Sequence, residues 1–164
     1  AKVLAAEFGE GGKARLVLDL ASAYRLKGLK TLTREFLWEP SVPALTVTDR
    51  FAFDTPRPFE TALTGWGTCT RDNNTLRLTF QGKTLEAHVS ASGTWVLATE
   101  TIPGDRMVDR PCAWMDWSLP EDGIPENSAG KALLKETAHR FGLTLTEPAA
   151  EGTFTLRFSL PSAP

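Results

Sequence analysis

Alternation of apolar and polar residues with a period of two restricts this chain more than any other feature, because that is the repeat of a β-strand with one buried face. In Arg15-Leu16-Val17-Leu18-Asp19-Leu20, the three leucines share one face, and Arg15, Val17 and Asp19 share the other. Leu45, Val47, Asp49 and Phe51 alternate with Thr46, Thr48 and Arg50 in the same way. Leu76, Leu78 and Phe80 alternate with Thr75, Arg77 and Thr79, and further runs follow at Leu85-Ala87-Val89, Trp95-Leu97-Thr99 and Phe154-Leu156-Phe158-Leu160. Residues 31–38 alternate with mixed polarity on both faces, which predicts a strand covered on two sides. Seven or more such runs predict an all-β fold: an antiparallel β-sandwich in a single domain over residues 1–164, with one long irregular excursion and at most one short helix.

Turn chemistry falls between the runs. Asp72-Asn73-Asn74 supplies residues that tolerate left-handed backbone, and Gln81-Gly82-Lys83 reads as a tight hairpin tip. The prolines of residues 39–43 and 54–58 cannot donate to a ladder and belong in connections or at edges. Residues 148–152 join a strand over 139–146 to one over 153–160. The excursion, residues 102–130, is rich in Pro, Gly and Asp and contains Trp114 and Trp117. A loop of that length is more often functional or interface-forming than idle. Residues 128–135 read either as a short helix capped by Ser128 or as a lead into the strand at His139.

Composition narrows the function classes. Eighteen Lys plus Arg against twenty Asp plus Glu leave no basic excess for phosphate-backbone attraction, so a nucleic-acid partner has no support. No apolar run approaches the roughly 20 residues of a helical membrane span. Cys69 and Cys112 lie far apart with no second ligand at metal spacing, and fit either two buried thiols or one bridge. The chain opens at Ala1 without a charged and then apolar leader, so it reads as a mature form or an excised domain.

Four constellations carry chemistry or imitate it. Gly9-Glu10-Gly11-Gly12-Lys13-Ala14 matches the letter of a phosphate-cradling fingerprint. The residues after it alternate as a strand, whereas the fingerprint needs a helix, so it reads as a hairpin tip. His88 and His139 stand in strands, facing solvent and outside any nucleophile context, and offer too few ligands for a metal. Asp49 places a carboxylate on an apolar face, where it must be paired; Arg34 on the preceding strand is its natural partner, and a ligand or metal contact is the other reading. Trp66, Trp95, Trp114 and Trp117 offer indole faces on which a sugar can stack; Trp95 alternates with Leu97 and reads as core, which leaves Trp66, Trp114 and Trp117 as candidate substrate contacts.

Three segments together resemble the C-terminal region of heparinase II/III-like proteins: residues 18–24 with Ala23-Tyr24, residues 28–34 with the lone Arg34, and residues 45–53 with Val47-Asp49-Phe51. The resemblance implies an antiparallel β-sandwich packed against an N-terminal α/α-toroid of the same polypeptide, in a bacterial polysaccharide lyase that is periplasmic or secreted. Such enzymes cleave acidic, uronate-containing polysaccharides by β-elimination, with a base at C5 and an acid, often Tyr, on the leaving oxygen. Most of the catalytic groups come from the toroid, so no catalytic residue, metal or cofactor carries over. Tyr24, the sole tyrosine, is assigned a packing role with a bonded hydroxyl, and Arg34 and Asp49 a structural one. The expected role is support of the toroid and one wall of the cleft; the alternative is a carbohydrate-binding module working through its exposed tryptophans.

Overall fold

The computed structural model describes residues 1–24, 26–102 and 138–159. Eleven antiparallel strands form among them: β1 (Lys2–Phe8), β2 (Ala14–Asp19), β3 (Leu29–Glu39), β4 (Ala44–Arg57), β5 (Glu60–Trp66), β6 (Thr68–Asp72), β7 (Thr75–Phe80), β8 (Lys83–Ala91), β9 (Trp95–Ile102), β10 (Ala138–Leu145) and β11 (Ala149–Ser159). One sheet has eight strands in the order β1-β2-β3-β4-β11-β8-β7-β6, and the other three, β5-β10-β9. The chain changes sheet at Pro58-Phe59, at Gly67, at residues 92–94 and at residues 146–148. The all-β sandwich read from the alternation is the fold of the molecule.

The core lies between the two sheets. Phe51, Phe154, Leu156, Leu76, Ala87 and Val89 point inward from the large sheet, and Leu143, Leu145 and Trp95 meet them from the small one. Phe59, on the first crossover, stacks on Phe51 with ring centroids 3.8 Å apart, which ties the crossover to the middle of β4. Trp95 is a core residue, and Arg71 lies over its ring at 3.7 Å while donating to its carbonyl oxygen.

Local chemistry explains the turns. The glycine-rich segment at residues 9–12 is the tip of the β1–β2 hairpin, with Gly11 and Gly12 both at positive φ. Gln81 and Gly82 take positive φ together, the pattern of a two-residue hairpin whose twist matches its strands. Gly67 has φ +89°, and a Cβ there would overlap the Thr79 carbonyl oxygen, so the crossover from β5 to β6 requires glycine.

Several boundaries differ from expectation. β1 carries no period-two signal and is exposed along nearly its whole length, held by pairing with β2 alone. A four-residue helix, α1 (Ala21–Tyr24), sits between β2 and β3, where Asp19 Oδ1 accepts from the Ala21 amide at 3.0 Å. Strand β4 runs through Pro56; the β3 side of its ladder ends at Phe53, so the missing N–H costs no pairing there. β11 starts at Ala149, and residues 146–148 cross between sheets without forming a hairpin. Both faces of β3 are mixed because ion pairs sit on both, and among the described residues no second sheet covers its outer face. The excursion and residues 128–135, read either as a short helix or as a lead into the next strand, with Cys112, Trp114 and Trp117, fall mostly or wholly outside the described residues.

Candidate functional site

Strands β3 and β4 pair so that Arg34 stands directly opposite Asp49, both on the face turned toward the small sheet. Asp49 is 1% exposed. Arg34 meets it as a fork, Nε to Oδ1 at 2.6 Å and Nη2 to Oδ2 at 2.7 Å, the geometry that fits a guanidinium to a carboxylate. Thr61, the first inward residue of β5, completes the group: its hydroxyl donates to Asp49 Oδ2 at 2.6 Å and lies 3.1 Å from Arg34 Nη2, from which it accepts. The buried charge is thereby held from both sheets. Bonding to Asp49 raises the Arg34 pKa above its ordinary value, against the opposing effect of burial.

A cavity of about 170 Å³ opens above this group. Its walls include Leu29, Leu32, Phe53 and Phe59, its floor includes Arg34 and Asp49, and its lip includes Tyr24, Leu26 and Glu60. Tyr24 is 61% exposed, in place of the packed ring expected for it, because a single helical turn offers too little surface to bury a phenol. Glu60 accepts from Arg140 Nη2 and, at 2.9 Å, from the Thr144 hydroxyl. The Arg140 bond holds its carboxyl below the usual carboxylate range.

The remaining candidates lie elsewhere. Trp66 ends β5, opposite Ala138, on the outer face of the small sheet and 37% exposed. Six residues of strand, about 20 Å, separate it from Glu60. His88 is exposed on the outer face of β8. His139, expected to face solvent, is half-buried, and its Nδ1 has no partner among the described residues. It pairs in register with Gly65, at the Trp66 end of the sheet. The Cys69 thiol is half-buried and burial pushes its pKa up; Cys112, its candidate bridge partner, lies outside the described residues. Among the described residues no three His, Cys, Asp or Glu side chains gather as a metal site.

Thr61 and Glu60 were not legible as members of this group from the sequence. Alternation assigns faces within one strand and its hairpin partner, but carries no information on which strand of a second sheet lies above. Thr61 does stand directly after Glu60 at the start of an alternating run, its only local signal.

No family model and no curated protein matches the sequence. Solved structures do match the fold. Heparinase III aligns at TM-score 0.60 and 12% identity, covering 99% of this chain and 21% of that one. The heparan sulfate lyase HepC from Pedobacter heparinus aligns at TM-score 0.62 and 13% identity, covering 99% of this chain and 22% of that one. The chain thus has the fold of one part of those proteins and spans about a fifth of their length, in agreement with the resemblance read from residues 18–53.

Proposed function

We propose that this chain is the C-terminal β-sandwich of a larger heparinase-type polysaccharide lyase, catalytically silent by itself, supporting an N-terminal α/α-toroid and lining one wall of its cleft. The observation that carries this reading is the fold match over 99% of the chain to proteins about five times as long. The apolar surface formed by Trp38, Pro43, Leu45, Leu85 and Phe158 supports it, since no described residue covers that surface and a neighbouring domain would.

Chemical geometry supports the silence. β-Elimination requires a base, an acid and a group that neutralises the uronate carboxylate, all positioned together. Tyr24 is at the cavity lip near Glu60, His139 is in register with Gly65 some 16 Å along β5, and His88 faces away on the other sheet. Arg34, the cation nearest Tyr24's cavity floor, already holds Asp49. A single-domain boundary of 1–164 and a secreted or periplasmic location follow from the same reading.

The test is the appearance of unsaturated uronate, followed by absorbance, when the chain is incubated with heparan sulfate, chondroitin sulfate or alginate. No turnover is expected from the chain alone, and turnover is expected from the full polypeptide. Turnover by the chain alone that disappears in Tyr24→Phe or His139→Ala overturns the reading.

The second reading, a carbohydrate-binding module, is favoured by Trp66, whose ring is part-exposed on the outer face of β5, diagonal to Arg140. It requires that oligosaccharide quench tryptophan fluorescence and that Trp66→Ala abolish the quenching. Trp114 and Trp117 would join Trp66 in that role.

A further inference from the structure

We propose that the uncovered inner face of the large sheet is the docking surface for residues 103–137 of the same chain, which cover Trp38, Leu45, Leu85 and Phe158. The proposal does not depend on the chain being part of a lyase. That reading keeps its footing on the fold match whether this segment or a neighbouring domain covers the face.

Alternation places all four side chains. Trp38 shares a face of β3 with Arg34, Leu45 a face of β4 with Asp49, Phe158 a face of β11 with Leu156, and Leu85 a face of β8 with Ala87. That is the side on which the small sheet lies, but three strands do not roof eight. Together with Pro43 and Ser159 the four residues line a trough of about 460 Å³ that has no described residue of the small sheet in its walls. Trp38 is 39% exposed and Leu85 37%. A cavity of roughly 150 Å³ takes up one benzene ring, so the trough has room for several large apolar side chains.

The exits of the segment lie at this end of the sandwich. Ile102, Ala138 and Trp66 stand in register across the small sheet, so residues 103–137 leave and return side by side. Gly67, next to Trp66, lies against the backbone of Thr79 and Phe80, and Thr79 pairs with Thr84, the neighbour of Leu85. Strand spacings and single-residue steps put Leu85 within about 30 Å of Ile102, whereas the twelve residues from Ile102 to Trp114 extend to about 40 Å. The opposite end, with Ser92 and Glu151, is the full length of β8 farther away.

Composition selects the occupant. Residues 111–119 carry one charge, Asp116, and place Trp114, Met115, Trp117 and Leu119 within six positions. Left in water, these side chains and the sheet face both forgo the burial that favours folding. The five residues after Ser159 offer one large apolar side chain, Leu160, too little to fill the trough. With the segment seated here Trp114 and Trp117 belong to the core, and Trp66 is the indole left to meet a sugar.

The experiment places a nitroxide on the cysteine introduced by Ser118→Cys in the 164-residue chain, with Cys69→Ala and Cys112→Ala removing the other thiols. NMR amide signals of Leu45, Leu85 and Phe158 are expected to lose most of their intensity and to regain it when ascorbate reduces the label, while Ser92 and Glu151 keep theirs. Adding Trp114→Ser and Trp117→Ser is expected to restore most of the lost intensity, because the segment then has little to bury. Full intensity at Leu45, Leu85 and Phe158 overturns the proposal and leaves the face to a neighbouring domain. Equal broadening at both ends of the sandwich overturns it too, as does broadening unchanged by the two tryptophan substitutions.

Discussion

Strands β3 and β4 carry two ionic clusters of similar composition on opposite faces, and the two have very different consequences. On the inner face Arg34, Asp49 and Thr61 form a closed group with Asp49 fully buried. On the outer face Glu35 accepts from Arg15 at 2.6 Å and from Arg50 at 3.0 Å, and Arg15 reaches Glu7 at 3.1 Å, all in contact with water. The attraction in each pair is similar at similar distance. What differs is the cost of breaking it: water replaces a lost partner on the outer face, whereas on the inner face the orphaned charge stays buried. Burial, more than the number of ion pairs, decides which charges hold the sheets together.

The largest effect is therefore expected from Arg34→Ala, which leaves the buried Asp49 carboxylate without its guanidinium and should cost about 3–5 kcal/mol in chemical denaturation. An effect below that of the outer-face variants would erase the distinction. Thr61→Val removes a hydrogen bond to a charged, buried acceptor with little change in shape, and should cost about 1.5–3 kcal/mol. Because Thr61 comes from the small sheet, that loss measures how far the inner cluster ties one sheet to the other.

Outer-face changes should be smaller and sensitive to pH and salt. Glu35→Gln is expected to cost about 0.2–1 kcal/mol at neutral pH in low salt. Bonding to Arg15 and then Arg50 lowers the Glu35 pKa in the folded chain, so its contribution is complete above the unfolded carboxylate value of about 4.3 and is lost as pH falls through the lower folded value. Parallel unfolding curves of the two proteins from pH 7 to pH 3 should converge at the acid end. Arg50→Ala leaves Arg15 on Glu35 and should stay within about 0.5 kcal/mol of the parent, the ordinary range for a surface change.

Strand content was legible because alternation is a local signal, and the same signal put the Asp49 carboxylate on an apolar face opposite Arg34. It failed where the local signal was absent or overridden. Lys2-Val3-Leu4-Ala5-Ala6-Glu7-Phe8 has adjacent apolar residues on both faces, so nothing but pairing with β2 marks it as a strand. The helix at Ala21–Tyr24 is four residues, barely one turn, so no apolar spacing can repeat within it. Thr61 and Glu60 reach the candidate site only because the crossover at Pro58-Phe59 lays β5 over β4, with the Phe59 ring stacked on Phe51. That is a tertiary arrangement which one strand's pattern does not encode.

The decisive measurement for the inner cluster is a double-mutant cycle in denaturant on Arg34→Ala, Asp49→Ala and the pair. If the two side chains act as one buried unit, each single change carries the cost of the stranded partner. The double variant should then lose less than the sum of the two by about 1 kcal/mol or more. Additive losses would contradict the tie and free Arg34 and Asp49 for a role other than holding the sandwich together.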